Sequence, residues 1–127
     1  LSIEAKCMQN LCLNQIIPAA TSYQNRLAET VLRTREALGK GADLAAQQEL
    51  LKKVATLVNR VYATNQAIQA GLEKASSVHD EQKKAEMLCE KVKTKMNDLR
   101  ECVDDLEGIV DDELWPLPKF WEMLFIS

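Results

Sequence analysis

The stretch AEMLCEKVKTKMNDLRECVDDLEGIV, residues 85–110, places an apolar side chain at every third or fourth position. Because an α-helix makes one turn in about 3.6 residues, this spacing gathers the apolar side chains on one face. Lysine and glutamate occupy much of the remaining surface. The stretch therefore predicts an amphipathic helix that packs against other helices, with a buried stripe formed by Ala85, Leu88, Val92, Met96, Leu99, Val103, Leu106 and Val110.

Two breaks separate this stretch from further helical patterns. GKGAD, residues 39–43, supplies two glycines suited to a helix C-cap and a turn, and Asp43 can cap the following helix. SSVHDEQ, residues 76–82, offers Ser77 or Asp80 as a second N-cap. Short connections of this kind place successive helices side by side and antiparallel.

Helical periodicity extends over nearly the whole chain. The predicted helices run from about residue 2 to 38, 43 to 77 and 80 to 113, and residues 114–127 form a tail. Only four glycines and three prolines interrupt 127 residues, and no strand pattern is present, which favours helix. We therefore predict an all-α fold, namely an elongated antiparallel three-helix bundle with a short apolar C-terminal tail or helix, as a single domain over residues 1–127.

Local features of the stripes carry further predictions. In the first helix the buried stripe is expected to include Ile3 and Cys7. Pro18 is expected to bend this helix without ending it, since the apolar pattern continues on both sides. In the second helix the stripe is interrupted by Thr64 and Asn65, which either fix the register or face a polar group of a neighbour.

Charge and hydropathy argue against two classes of partner. The net charge of −3 and the pI near 5.2 provide no attraction for phosphate backbones, so we predict no nucleic-acid binding. Residues 7–25 are uncharged, but six Asn and Gln side chains make them too polar to span a membrane. No secretory signal opens the sequence, which predicts a cytoplasmic protein. Because residue 1 is Leu and the helical pattern begins at once, we expect a fragment of something larger.

The sequence offers little material for catalysis. It has one histidine, His79, and lacks phosphate-binding, zinc-protease and nucleophile-elbow motifs. The acidic run at residues 104–113 is expected to be a solvated face, with a divalent cation site as the alternative. We predict no catalytic, cofactor-binding or metal-binding residue. The cysteines lack C-x2-C pairing and are expected to be small buried hydrophobes, with a disulfide or metal site as the alternative: Cys7, Cys12, Cys89 and Cys102.

The last stretch, ELWPLPKFWEMLFIS at residues 113–127, is unusually apolar. It holds four of the six aromatic residues and two of the three prolines. Four large aromatic side chains represent roughly 600–1,000 Å² of surface, which exceeds the apolar patch of an ordinary monomer. The tail is therefore expected to dock, either on its own bundle or on another domain or subunit. The residues predicted to form this packing or interface set are Trp115, Pro116, Pro118, Phe120, Trp121 and Phe125.

Two stretches resemble a known family. IEAKCMQNLCLNQIIPAATSYQNRLAETV resembles the pattern I-E-A-x-x-M-x-x-x-x-x-N-x-I-x-P-A-x-x-x-Y-Q-x-x-L, and VDDLEGIVDDELWPLPKFWEMLF resembles D-x-L-E-x-x-V-x-x-x-x-W-P-x-P-x-Y-x-x-M-L-F. Both look like the C-terminal region of type III glutamine synthetase, the long bacterial form. Two positions depart from the pattern: Lys6 stands where an arginine is expected, and Phe120 replaces a tyrosine.

The resemblance implies a role within a larger enzyme. The full-length family member would be an ATP-dependent glutamate–ammonia ligase that uses Mg²⁺ or Mn²⁺, with its ligands in an upstream catalytic domain. None of the matched motifs is such a ligand, so this chain would be a noncatalytic helical domain, with no cofactor of its own. Its partners would be the remainder of its own enzyme and neighbouring subunits of a large ring. The alternative is a free-standing helical interaction or sensor domain that binds a partner helix.

Overall fold

The computed structural model describes residues 1–117, which form helices and turns and contain no strand. Three helical rods follow one another. The first rod comprises α1 (Ser2–Leu11), a π-helical turn (Cys12–Ile16) and α2 (Ile17–Leu38); the second is α3 (Ala45–Ser76); the third comprises α4 (Glu81–Met87), a π-helical turn (Leu88–Val92) and α5 (Lys93–Glu107). The prediction of an all-α fold is confirmed. Within the described part, no helix combines the length and the hydropathy needed to cross a membrane.

The second rod is the central element of the bundle. It contacts α1 and α2 of the first rod and α4 and α5 of the third rod. Consecutive rods joined by short loops in this way run antiparallel, and the prediction of a three-helix bundle is confirmed. All three rods contribute to one core, whose largest fully buried side chains are Ile16, Ile68, Leu99, Leu106, Val54, Val61, Val92 and Val110.

Individual residues explain where the rods begin and end. Gly39 closes the first rod with a φ of 76°, a backbone conformation that residues with a side chain avoid. Asp43 Oδ1 accepts a hydrogen bond from the Ala45 N–H at 3.2 Å, where the second rod begins. Of the two candidate N-caps of the third rod, the structure uses Asp80, whose Oδ1 accepts from the Gln82 N–H at 2.9 Å.

The third rod ends at Glu107, earlier than the predicted end near residue 113. Gly108 occupies its C-cap, and glycine has one of the lowest helix propensities. Beyond it, the Asp111 carbonyl oxygen accepts two later backbone N–H groups at 3.0 and 3.1 Å, which forms a turn. Three consecutive acidic residues at 111–113 also oppose the negative end of a helix dipole, so continuing the helix is unfavourable.

Pro18 is accommodated inside a continuous first rod. Directly before it, the Ile17 N–H donates to the Cys12 carbonyl oxygen five residues back, which defines the π-helical turn. Pro18 has no N–H for the carbonyl of Asn14, and its ring would crowd that carbonyl in a regular α-helix. The wider π-helical turn accommodates both the missing N–H and the bulk of the proline ring. The prediction that this proline does not end the helix is confirmed.

The predicted stripe of α1 is wrong in its first two turns. Ile3 is 78% exposed and Cys7 is also exposed, whereas Ala5 and Gln9 are buried. The π-helical turn that follows α1 is buried on its inner face. Residues one and two helical turns before it, at intervals of about 3.6 residues, lie on the same face, and these are Gln9 and Ala5. A glutamine on the inner face is favourable because it hydrogen-bonds with Asn65 of α3. The buried face is therefore set by a polar partner that the apolar pattern of α1 does not reveal.

Candidate packing surface of the C-terminal segment

Asp111 organises the reversal of the chain after the third rod. Its Oδ2 accepts a hydrogen bond from Arg26 Nη1 at 3.2 Å, which connects this turn to the first rod. Its Oδ1 accepts from the Glu113 N–H at 3.0 Å. The charged side chains are 54% and 38% exposed, so this ion pair contributes at most about 1 kcal/mol. The main effect of Asp111 is therefore to direct the chain back towards the first rod.

The six residues predicted to form the packing set fall into two groups. Trp115 is 7% exposed and belongs to the apolar core, whereas Pro116 is exposed. The Trp115 indole N–H is buried and has no hydrogen-bond partner among the described residues. The other four predicted residues lie outside the described residues: Pro118, Phe120, Trp121 and Phe125. The role of the whole set stays a prediction.

A cleft of about 230 Å³ opens between the first and third rods, and we call it the inter-rod cleft. Two exposed side chains of opposite charge, Arg100 and Asp104, also border it. Leu117, which is half-buried, is the last described residue, so the chain leaves the described part from the wall of this cleft. The apolar walls consist of Met8, Leu11, Cys12, Ile16, Val103 and Leu117.

Two buried thiols lie within the core. Cys12 and Cys102 are each 1% exposed, whereas Cys7 and Cys89 are exposed, and all four are free. Burial raises the pKa of the Cys12 thiol to about 11, and the neighbouring Cys102 adds to this increase. Burial also raises the pKa of Cys102, partly opposed by Arg60. Both buried thiols stay protonated at neutral pH and are poor nucleophiles. The prediction of buried, apolar cysteines is right for this pair and wrong for the exposed two.

A buried amide pair joins α1 to α3. Gln9 and Asn65 are 8% and 4% exposed. Gln9 Nε2 donates to the Asn65 carbonyl oxygen at 3.4 Å and to Gln69 Oε1 at 3.0 Å. Asn65 Nδ2 donates in return to the Gln9 carbonyl oxygen at 3.4 Å, while Asn65 Oδ1 is buried and has no partner within residues 1–117. The structure thus shows a polar group of a neighbour facing Asn65, which is one of the two alternatives for the interrupted stripe of α3.

The described residues do not fit the divalent metal ion that the family resemblance implies. Within residues 1–117, no three His, Cys, Asp or Glu side chains converge as metal ligands. In the acidic run, Asp111 is engaged by Arg26, and Asp104 and Asp105 are exposed.

The described residues form an all-α helical domain, and comparison with known proteins shows which family it represents. The family model described as the glutamine synthetase C-terminal domain matches residues 1–35. The glutamine synthetase of Bacteroides fragilis (strain YCH46) is 32% identical over 128 residues, which cover 98% of this chain and 18% of that protein. The type-3 glutamine synthetase of Dictyostelium discoideum is 30% identical over 129 residues, which cover 99% of this chain and 18% of that protein.

These similarities agree with the two motifs at the ends of the sequence. The chain belongs to the glutamine synthetase C-terminal domain family. It spans about 18% of the length of each of these two relatives. The family resemblance inferred from the sequence is therefore confirmed.

Proposed function

We propose that this chain is a noncatalytic helical domain of a larger glutamine synthetase and that it serves structure and subunit assembly. The observation that carries the proposal is that the similarity runs along 98% and 99% of the chain but covers only 18% of each relative. The amide N–H groups of Gln9 and Asn65, which the domain buries between its first two rods, donate hydrogen bonds to each other's backbone carbonyl oxygens. These features support a packing role.

For the full-length protein we propose the activity that the family resemblance implies, the ATP-dependent joining of ammonia to glutamate. Mg²⁺ or Mn²⁺ would neutralise phosphate charge in that reaction. The residues that hold the nucleotide and the metal would lie outside this chain, which would bind no cofactor itself. A cytoplasmic location is a prediction of the same kind.

The proposed partners are the remainder of the same enzyme and its neighbouring subunits. Large apolar side chains remain exposed on the rods, and burying one of them in an interface would contribute roughly 1.5–3 kcal/mol. The largest exposed fractions among them belong to Ile3, Leu38 and Leu32, at 78%, 70% and 62%. We propose that the six-residue packing set, which includes the buried Trp115, anchors the last segment within this assembly.

The test is a truncation of the full-length enzyme. A stop codon at the position of Glu113 removes the packing set and leaves the three rods. We expect a smaller oligomer by light scattering and reduced glutamine formation. The exposed Cys89→Ser substitution in the same enzyme is the matched control and should change neither quantity. Unaltered assembly and turnover after truncation would contradict the proposed role.

The free-standing interaction or sensor domain remains the alternative. It predicts an open reading frame that encodes only this chain, with its own start codon. Sequencing the DNA upstream of the Leu1 codon distinguishes the free-standing domain from the domain of a larger enzyme. Several hundred preceding codons in frame are expected only for the larger enzyme.

A further inference from the structure

We propose that an exposed face shared by the first and second rods binds a second copy of this chain in a two-fold symmetric contact. We call this face the uncharged surface, and it consists of Asn10, Leu13, Tyr62, Gln66 and Gln69. The contact would be one of the subunit contacts of the proposed function, on which it rests. Truncation at Glu113 leaves this surface intact, so the experiment below can fail while the truncation experiment succeeds.

The helices that form the uncharged surface lack charged residues over long stretches. Residues 7–25 and residues 61–72 contain no Asp, Glu, Lys or Arg, although these types make up 28% of the chain. Exposed positions of a solvated surface normally carry charges of both signs. On these two helices charged side chains appear one turn beyond the surface, at Lys6 and Glu73. A centre depleted of charge with a polar rim is the composition of a protein–protein interface.

The surface combines a recess with an exposed ring that fits it. Tyr62 is 52% exposed and lies one helical turn before Gln66 on α3. Because an apolar cavity of about 150 Å³ is large enough to bind benzene, a larger recess can hold a phenol ring. A pocket of about 260 Å³ lies between the first two rods, and its lining residues are Gln9, Asn10, Leu13, Asn65, Gln66 and Gln69.

The chemistry of the pocket suits the side chain of Tyr62 from a second copy. Leu13 is 46% exposed and provides an apolar contact for the ring. The other lining residues are carboxamides, which can donate to and accept from the phenol hydroxyl. Tyrosine is also one of the residue types that contribute most to binding energy at interfaces.

Two-fold symmetry explains why the partner is a second copy. In such a contact the ring and the recess of one copy face the recess and the ring of the other, so both insertions form together. Residues near the symmetry axis meet their own counterparts, and like charges there would repel each other. A carboxamide both donates and accepts, so Gln66 can pair with Gln66 of the second copy. A partner of different chemistry would be selected by opposite charges, which this surface does not carry.

Sedimentation equilibrium of the 127-residue chain tests the contact. We expect a monomer–dimer equilibrium that shifts towards monomer on about hundredfold dilution, because association follows mass action. Gln66→Lys places like charges at the axis and should raise the dissociation constant about tenfold or more. Tyr62→Ala removes the ring and should have an effect of about the same size. Asn97→Lys adds the same charge at an exposed carboxamide of the third rod, and this matched control should leave the dissociation constant unchanged.

A charge exchange between two variants keeps the test decisive if one substitution disturbs the fold. Gln66→Glu alone should weaken association as Gln66→Lys does. An equimolar mixture of the two variants should associate again, because opposite charges then meet at the axis. A parent chain that is monomeric throughout would overturn the proposal, as would a dimer that Gln66→Lys leaves intact or that Asn97→Lys weakens equally. A mixture that stays monomeric would show that Gln66 does not meet its counterpart and would equally overturn it.

Discussion

Gln9 and Asn65 are the two side chains at which the bundle departs from an apolar interior. Asn65 Oδ1 has no partner in the part of the chain that the structure describes, and a buried unpaired acceptor costs about 1–3 kcal/mol. The pair nevertheless favours the present alignment of α1 on α3, because a shift along α3 would break the two hydrogen bonds that Gln9 and Asn65 exchange. Polar residues at core positions fix register in this way in coiled coils.

Substitutions of Gln9 and Asn65 should therefore show how much the pair contributes to the free energy of unfolding. We expect Gln9→Leu/Asn65→Leu to match or exceed the parent free energy of unfolding, by up to about 2 kcal/mol, since both partners become apolar. Asn65→Asp should lower it by about 3 kcal/mol, because a buried carboxylate would face the Gln9 carbonyl oxygen. Urea denaturation measures both variants. A double-leucine variant that is strongly destabilised would show that the hydrogen bonds outweigh the unpaired acceptor.

The buried Cys12 thiol predicts a decline of stability at alkaline pH. Its pKa is raised from 9.0 to about 11 on folding. Between these values the unfolded chain loses its proton first, so the folded state is progressively disfavoured. We expect Cys12 to account for a loss of about 2–3 kcal/mol between pH 9 and 11. The Cys12→Ala variant, unfolded in urea across this range, should show a flatter pH dependence, and a slope identical to that of the parent would contradict the assignment.

At the scale of elements, two glycines with different backbone conformations end two rods. Gly39 has a φ of 76° and a ψ of −166°, in a region that is essentially restricted to glycine. Gly108 has a φ of −73° and a ψ of −14°, which any residue adopts. An added Cβ at Gly108 would meet only ordinary van der Waals neighbours, the closest at 3.6 Å.

The same substitution at these two positions should therefore have opposite effects. We expect Gly39→Ala to lower the free energy of unfolding by about 1–3 kcal/mol, because alanine is strained there. Gly108→Ala should raise it by about 0.5–1 kcal/mol by reducing the entropy of the unfolded chain. Thermal and urea unfolding of the two variants provide the measurement, each serving as the control for the other. Equal signs would contradict the backbone argument.

Sequence patterns predicted these elements where the cause is local. The periodicity of α5, the Gly39 turn and the Asp80 cap depend on residues only a few positions apart, and all are present. The inner face of α1 depends on Asn65, which is distant in sequence, and its prediction from Ile3 and Cys7 was wrong. The inter-rod cleft depends on the separation of two rods, for which no residue pattern exists.

For the whole molecule, the turn after the third rod brings the end of the described chain back to the first rod. Trp115 is the largest side chain in this connection and is 7% exposed. We expect Trp115→Ala to lower the free energy of unfolding by about 3–5 kcal/mol, because it leaves a large cavity. Trp115→Phe should cost less, about 1 kcal/mol, since it retains a ring and removes the unpaired indole N–H.

Calorimetric melting of these variants tests whether the returning segment belongs to the cooperative unit. Pro116→Ala, at an exposed neighbouring position, is the control and should stay close to the parent. A Trp115→Ala variant that melts like the control would show that the connection adds no stability. The sequence predicted that this region docks, but the choice of Trp115 over Pro116 as the buried residue depends on how the Asp111 turn orients the chain.

The two exposed cysteines have a practical consequence. Cys7 lies on the first rod and Cys89 on the third, the two rods that flank the inter-rod cleft. Labelling these two thiols with a donor and an acceptor dye, or with two spin labels, would allow the distance between the first and third rods to be measured by spectroscopy. Changes in that distance could be followed in real time without introducing any cysteine by mutation.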